Sequence, residues 1–232
     1  MPDSHLLSLL FLGFLLGVRH ALDADHVAAI LTIATENQSV WRSSLIGFCW
    51  GVGHTLILLM VGAGVLLFKV TIPSAWGKAF EASVGVMLLV LGVSVAFTLW
   101  RERVHLHTHR HDAGEQHRHF HSHRHGAQHD HLHRFRLEYK SLLIGMVHGL
   151  AGSAALLILV LATVSSLEAG ILYILVFGSG SILGMVLLAT AMSIPFAMSA
   201  EKMARVHHAL RATAALVSIV LGSRILFELL VA

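Results

Sequence analysis

The chain has a single cysteine, Cys49. An internal disulfide is impossible and a CxxC redox site is excluded. Cys49 falls in an apolar stretch and reads as small-residue packing. Charge is scarce too: Asp, Glu, Lys and Arg make up 12% of the 232 residues against 56% hydrophobic ones, and mean hydropathy is +0.75. Soluble domains carry about 25% charged residues, so this is the composition of a polytopic membrane protein. The net charge of +3 is no nucleic-acid signal, because the basic residues gather between apolar stretches. The opening Met1-Pro2-Asp3-Ser4-His5 lacks the basic segment that begins a signal peptide. No nucleophile–base arrangement or cofactor motif occurs, so neither an enzyme nor a prosthetic group is expected.

What the chain does have is apolar length. Six spans follow from it, at about residues 6–34, 45–68, 82–100, 142–164, 171–198 and 209–230. The fold class is therefore all-α, with membrane lipid as its surroundings. The first stretch, 29 residues, would be about 43 Å long as one straight helix, whereas a bilayer core needs about 20 residues. Tilt or a break is expected, with His20 at the middle. Discontinuous helices at the midplane are where transporters commonly bind their substrate.

That first span carries Arg19, His20, Asp23, Asp25 and His26. A charge at a helix centre in a bilayer costs about 2.5 kcal/mol or more and usually marks an ion or substrate path. On an ideal helix His20, Asp23 and His26 share an arc of about 120°. Imidazole nitrogen and carboxylate oxygen on one face suit a borderline divalent metal such as Ni, Co or Zn. Asp25 points elsewhere and joins them only if the helix is broken. The second span adds Gly47, Gly51 and Gly53, a close-packing face, and then His54, a further candidate ligand or its neighbour. The third span has no polar centre. Arg224 and Glu228 near the end of the sixth can pair at i,i+4.

The two halves echo one another. Gly17 and His20 align with Gly145 and His148 at a spacing of 128 residues. Gly51 and Gly53 align with Gly178 and Gly180 at 127, and Gly92 with Gly222 at 130. The near-constant offset indicates an internal repeat, with three-helix units at 1–100 and 141–232. An odd number of spans per unit forces the units into opposite orientation, giving a 3+3 inverted repeat with its site at the shared interface. The second half has Ala151, Ser153 and Ser181 where the first has Asp23, Asp25 and His54. Only His148 keeps its counterpart's imidazole, and it is expected to approach His20 across the interface.

Between the units, residues 101–140 show no apolar periodicity and are expected to be a disordered loop. Its twelve histidines are His105, His107, His109, His111, His117, His119, His121, His123, His125, His129, His131 and His133. Such tracts read as metal binding, here weak and unselective. Lys and Arg on this side of the membrane number twelve, against Lys69 and Lys78 on the other. That bias places the loop in the cytoplasm and both termini outside.

His20-Ala21-Leu22-Asp23-Ala24-Asp25-His26 resembles the His-x4-Asp-His signature of the nickel/cobalt transporter family. Gly51-Val52-Gly53-His54-Thr55 resembles that family's second Gly/His segment, and residues 147–154 its compact six-span, urease-accessory-type branch. The resemblance implies transport of Ni2+ or Co2+, with His20, Asp25 and His26 as signature residues; a prokaryotic cytoplasmic membrane is expected, and uptake is set slightly ahead of efflux although the long His-rich loop resembles the efflux members. Cytoplasmic metallochaperones would be natural partners. The competing readings are a zinc transporter, an exporter of another small cation on a similar fold, and a membrane-anchored metal buffer.

Overall fold

The computed structural model describes residues 2–35, 39–69, 73–101, 106–110, 116–120, 136–163 and 166–231. Within these, the side chains of 2–6, 74, 106–110, 116–120, 136–137, 152–163 and 200–202 fall outside the description. Seven helices are present among the described residues: α1 (Pro2–His20), α2 (Ala24–Ala34), α3 (Val40–Phe68), α4 (Ser74–Arg101), α5 (Arg136–Thr163), α6 (Leu167–Lys202) and α7 (Ala204–Val231). Among the described residues four helices are long and apolar enough to cross a membrane, and the pair α1–α2 makes a fifth if counted as one bent span. α5 has 28 residues, with the side chains of its second half outside the description.

The first apolar stretch is broken. The amides of Leu22 and Asp23 bond back three residues to the carbonyls of Arg19 and His20, at 2.9 and 3.0 Å. Asp23 then adopts an extended backbone, φ −62° and ψ 147°, and α2 starts at Ala24 on an axis bent by 52°. Asp23 sits at the N-cap position, where its side chain would ordinarily accept from the first-turn amides. It makes no such bond, because its carboxylate is engaged by His20.

α3 packs along both α5 and α6, α4 along α7, and α1 along α6, while α2 is seated among α4, α6 and α7. The Thr32 and Ser218 hydroxyls hold α2 to α7: they lie 2.6 Å apart and each reaches the Ala28 carbonyl, at 2.8 and 3.0 Å. Small residues let the backbones meet. A Cβ on Gly17 would collide with the Phe177 carbonyl of α6, and one on Gly145 with the Trp50 carbonyl of α3. Buried Ala21, Ala28, Ala29, Trp50, Leu88 and Met185 form the core beside α2.

The histidine-rich segment contains two short strands where no regular structure was expected. β1 (Leu106–Arg110) and β2 (Gln116–Phe120) pair antiparallel, with His107 opposite His119 and His109 opposite His117 along the backbone. Alternation of residue types with period two is compatible with a ladder. The side chains of all twelve loop histidines lie outside the described residues.

The glycine contacts make a direct prediction. Gly17→Ala and Gly145→Ala each force a methyl into a neighbouring backbone and should destabilise the fold by about 1–3 kcal/mol. Gly64, with nothing within 4 Å of its added Cβ, should tolerate alanine or gain up to ~1 kcal/mol from helix propensity. Melting temperatures of the purified variants in detergent check the contrast.

Candidate metal centre

The break at residues 21–23 turns the end of α1 and the start of α2 toward α3 and α5. Four imidazoles meet there. Ring centroids are 4.7 Å apart for His20 and His26, 5.1 Å for His20 and His54, 5.3 Å for His26 and His54, and 4.3 Å for His26 and His148. His26, His54 and His148 are buried to 1% exposure or less. Trp50 lies against His148 and His26, at 5.4 and 6.4 Å between centroids, and Phe177 against His20 at 5.6 Å.

Two carboxylates stand behind these rings. Asp23 Oδ2 is 2.8 Å from His20 Nδ1. Asp25 Oδ1 is 3.2 Å from His26 Nδ1 and also accepts the His26 amide at 2.9 Å, while its Oδ2 is 3.0 Å from His148 Nε2. A carboxylate accepting from one imidazole nitrogen fixes the tautomer and leaves the other nitrogen a lone pair, the arrangement commonly found behind metal-bound histidines. The remaining nitrogens fit that role. His20 Nε2, His26 Nε2, both nitrogens of His54 and His148 Nδ1 are buried with no hydrogen-bond partner among the described residues.

The donor atoms fall into two overlapping triads, each within 4.8 Å: His20, His26 and His54, and Asp25, His26 and His148. Three imidazoles, or two imidazoles and a carboxylate, are donor sets that a borderline divalent ion accepts. All six candidates from the helical segments thus come together, Asp23 through His20. His148 joins the cluster that holds His20, with His26 and Asp25 as its direct neighbours. The reason is that α5 packs along α3 and α1 along α6, which leaves the start of α2 as the element that meets His148. Sequence reasoning passed over Trp50 and Phe177. Their signal was available, since each directly precedes a Gly-x-Gly segment, Gly51–Gly53 or Gly178–Gly180, at equivalent places in the two halves.

Comparison with known proteins places the chain in a family. No solved structure matches the chain. The chain is 39% identical over 229 residues to the urease accessory protein UreH of Bacillus sp. (strain TB-90), covering 99% of this chain and 95% of that protein. It is also 24% identical over 178 residues to the chloroplast protein FOR GROWTH AND FERTILITY 1 of Arabidopsis thaliana, covering 75% of this chain and 46% of that one. Residues 6–230 match the family described as high-affinity nickel-transport protein. The chain is therefore an integral membrane protein of the high-affinity nickel-transport family, a family of transporters and not of enzymes.

Proposed function

We propose that this chain carries Ni2+, with Co2+ as the nearest competitor, across the membrane through a centre formed by His20, His26 and His54, with Asp25 and His148 beside it. The observation that carries the reading is the set of buried imidazole nitrogens without a hydrogen-bond partner among the described residues, gathered in overlapping triads. Asp23 acts by orienting the His20 ring. Low dielectric around the centre makes each ligand matter more than it would in water.

The reading includes six spans in a 3+3 inverted repeat, with α1–α2 and α5 as equivalent elements. Reciprocal contacts support it. α1 packs on α6 as α5 packs on α3, and α2 on α7 as α5 on α4. A Cβ on Gly51 would meet Ile182 and one on Gly178 would meet Thr55, residues related by the same offset of 127. The loop at 101–140 is cytoplasmic, both termini are outside, and movement is inward. The loop histidines hold metal weakly on the cytoplasmic side, where metallochaperones would collect it.

Two measurements test this. In cells, His26→Ala or His54→Ala should nearly abolish accumulation of labelled nickel while membrane insertion is unchanged. Asp23→Asn should weaken nickel affinity by about 10–100-fold, the usual effect of removing a partner of a ligating histidine. Because protons compete with metal for imidazole nitrogens, binding should be strongest above the ordinary histidine pKa of about 6.5 and fall as pH drops below it. Wild-type accumulation in His26→Ala contradicts the assignment.

The loop has a separate role and a separate test. Replacing residues 104–135 with a short flexible linker should leave nickel flux into reconstituted vesicles intact but alter its dependence on metal concentration. Complete loss of flux in a well-folded replacement would place the loop on the conduction path.

A further inference from the structure

A cavity of about 480 Å3 opens between the start of α4 and the end of α7, and Asp25 forms part of its lining. Lys78 and Glu81 line it from α4, Ala151 from α5, and Ile225 and Glu228 from α7. Six waters at their liquid volume of about 30 Å3 each occupy roughly 180 Å3, so a hydrated divalent ion fits. Three carboxylates face one ammonium in this lining, a field that favours cations. Glu228 also pairs with the exposed Arg224 at 2.7 Å. The cavity lies at the end of α4 remote from Arg101, hence on the face opposite the histidine-rich segment.

Asp25 is the one cavity residue that also belongs to the histidine cluster. Its side chain is 29% exposed, whereas those of His26 and His148 are 1% exposed. His148 Nδ1 is buried without a hydrogen-bond partner among the described residues. His26 turns Nδ1 to Asp25 and keeps Nε2 without a partner.

We propose that this cavity is the ion's access vestibule and that two overlapping ion positions share His26. The ion is held first by Asp25, His26 and His148, then by His20, His26 and His54. The inference rests on the centre proposed above and divides it into an ordered pair of positions. An incoming aqua ion exchanges its first waters at the partly exposed carboxylate, a hard oxygen donor. It then moves to the all-imidazole triad, whose nitrogen donors suit nickel better than oxygen does. His26 serves both positions, and two divalent ions so close would repel strongly, so one ion occupies the pair at a time. Glu81, at the cavity wall and clear of the cluster, gathers cations electrostatically.

The test uses the full-length protein, reading high-affinity 63Ni2+ equilibrium binding in detergent and the initial rate of 63Ni2+ flux in proteoliposomes. His148→Gln should keep equilibrium affinity within about threefold but slow flux at least tenfold. Glu81→Gln, an exposed change that leaves the core untouched, should slow flux severalfold at low salt, with the deficit vanishing at high salt as screening takes over. His54→Gln should lose high-affinity binding itself. If His148→Gln loses equilibrium affinity as completely as His54→Gln while remaining folded, there is one four-residue position and the ordered pair is wrong. If Glu81→Gln and His148→Gln both retain wild-type flux, the cavity is not the route. Retention of high-affinity binding in His54→Gln would instead overturn the proposed centre.

Discussion

Buried imidazole nitrogens without a hydrogen-bond partner among the described residues are the constraint on which the rest of this structure turns. An unsatisfied polar atom in the interior costs about 1–3 kcal/mol, and here five such nitrogens lie within one cluster. Imidazoles of His20, His26 and His54 that face one another with no partner among the described residues make sense as a preformed divalent-ion site. Asp23 and Asp25 complete that logic by taking up one nitrogen each on His20 and His26. Asp23 forgoes its capping bond to do so.

The remainder of the fold serves to hold the bend in place. α2 is only 11 residues long, too short to fix its own orientation, and the Thr32–Ser218 contact ties it to α7. Gly17 allows α1 to lie against α6, and Gly145 allows α5 to lie against α3. These approaches bring His20, His54 and His148 within reach of His26. Trp50 lies against His26 and His148, and Phe177 against His20, so aromatic rings form part of the walls of the cluster.

Much of this was legible in the sequence. Ionisable residues inside an apolar run are costly enough to announce a site, but the common face of His20, Asp23 and His26 was drawn on an unbroken helix, and here the three meet across a bend. The break was foreshadowed by length but not by position, because Ala21, Leu22 and Asp23 include no glycine or proline. Asp25 could not be placed without that break, since an ideal helix turns it away. His148 was found through the repeat, but its neighbour was not, because pairing of α5 with α3 is a tertiary matter. The strand pair at 106–120 escaped notice because residue alternation there was read as composition. The lining contributed by Glu81 and Glu228 was invisible, as it depends on how the ends of α4 and α7 meet.

The central claim is that nickel is held by the imidazoles of His20, His26 and His54. Nickel K-edge X-ray absorption on the protein loaded with less than one equivalent of Ni2+ tests it most directly. The account predicts multiple-scattering features of about three imidazole ligands, lost in His54→Ala, which no longer holds nickel at high affinity, without a change in the fold. A spectrum dominated by oxygen ligands, or one that His54→Ala leaves unchanged, would contradict it.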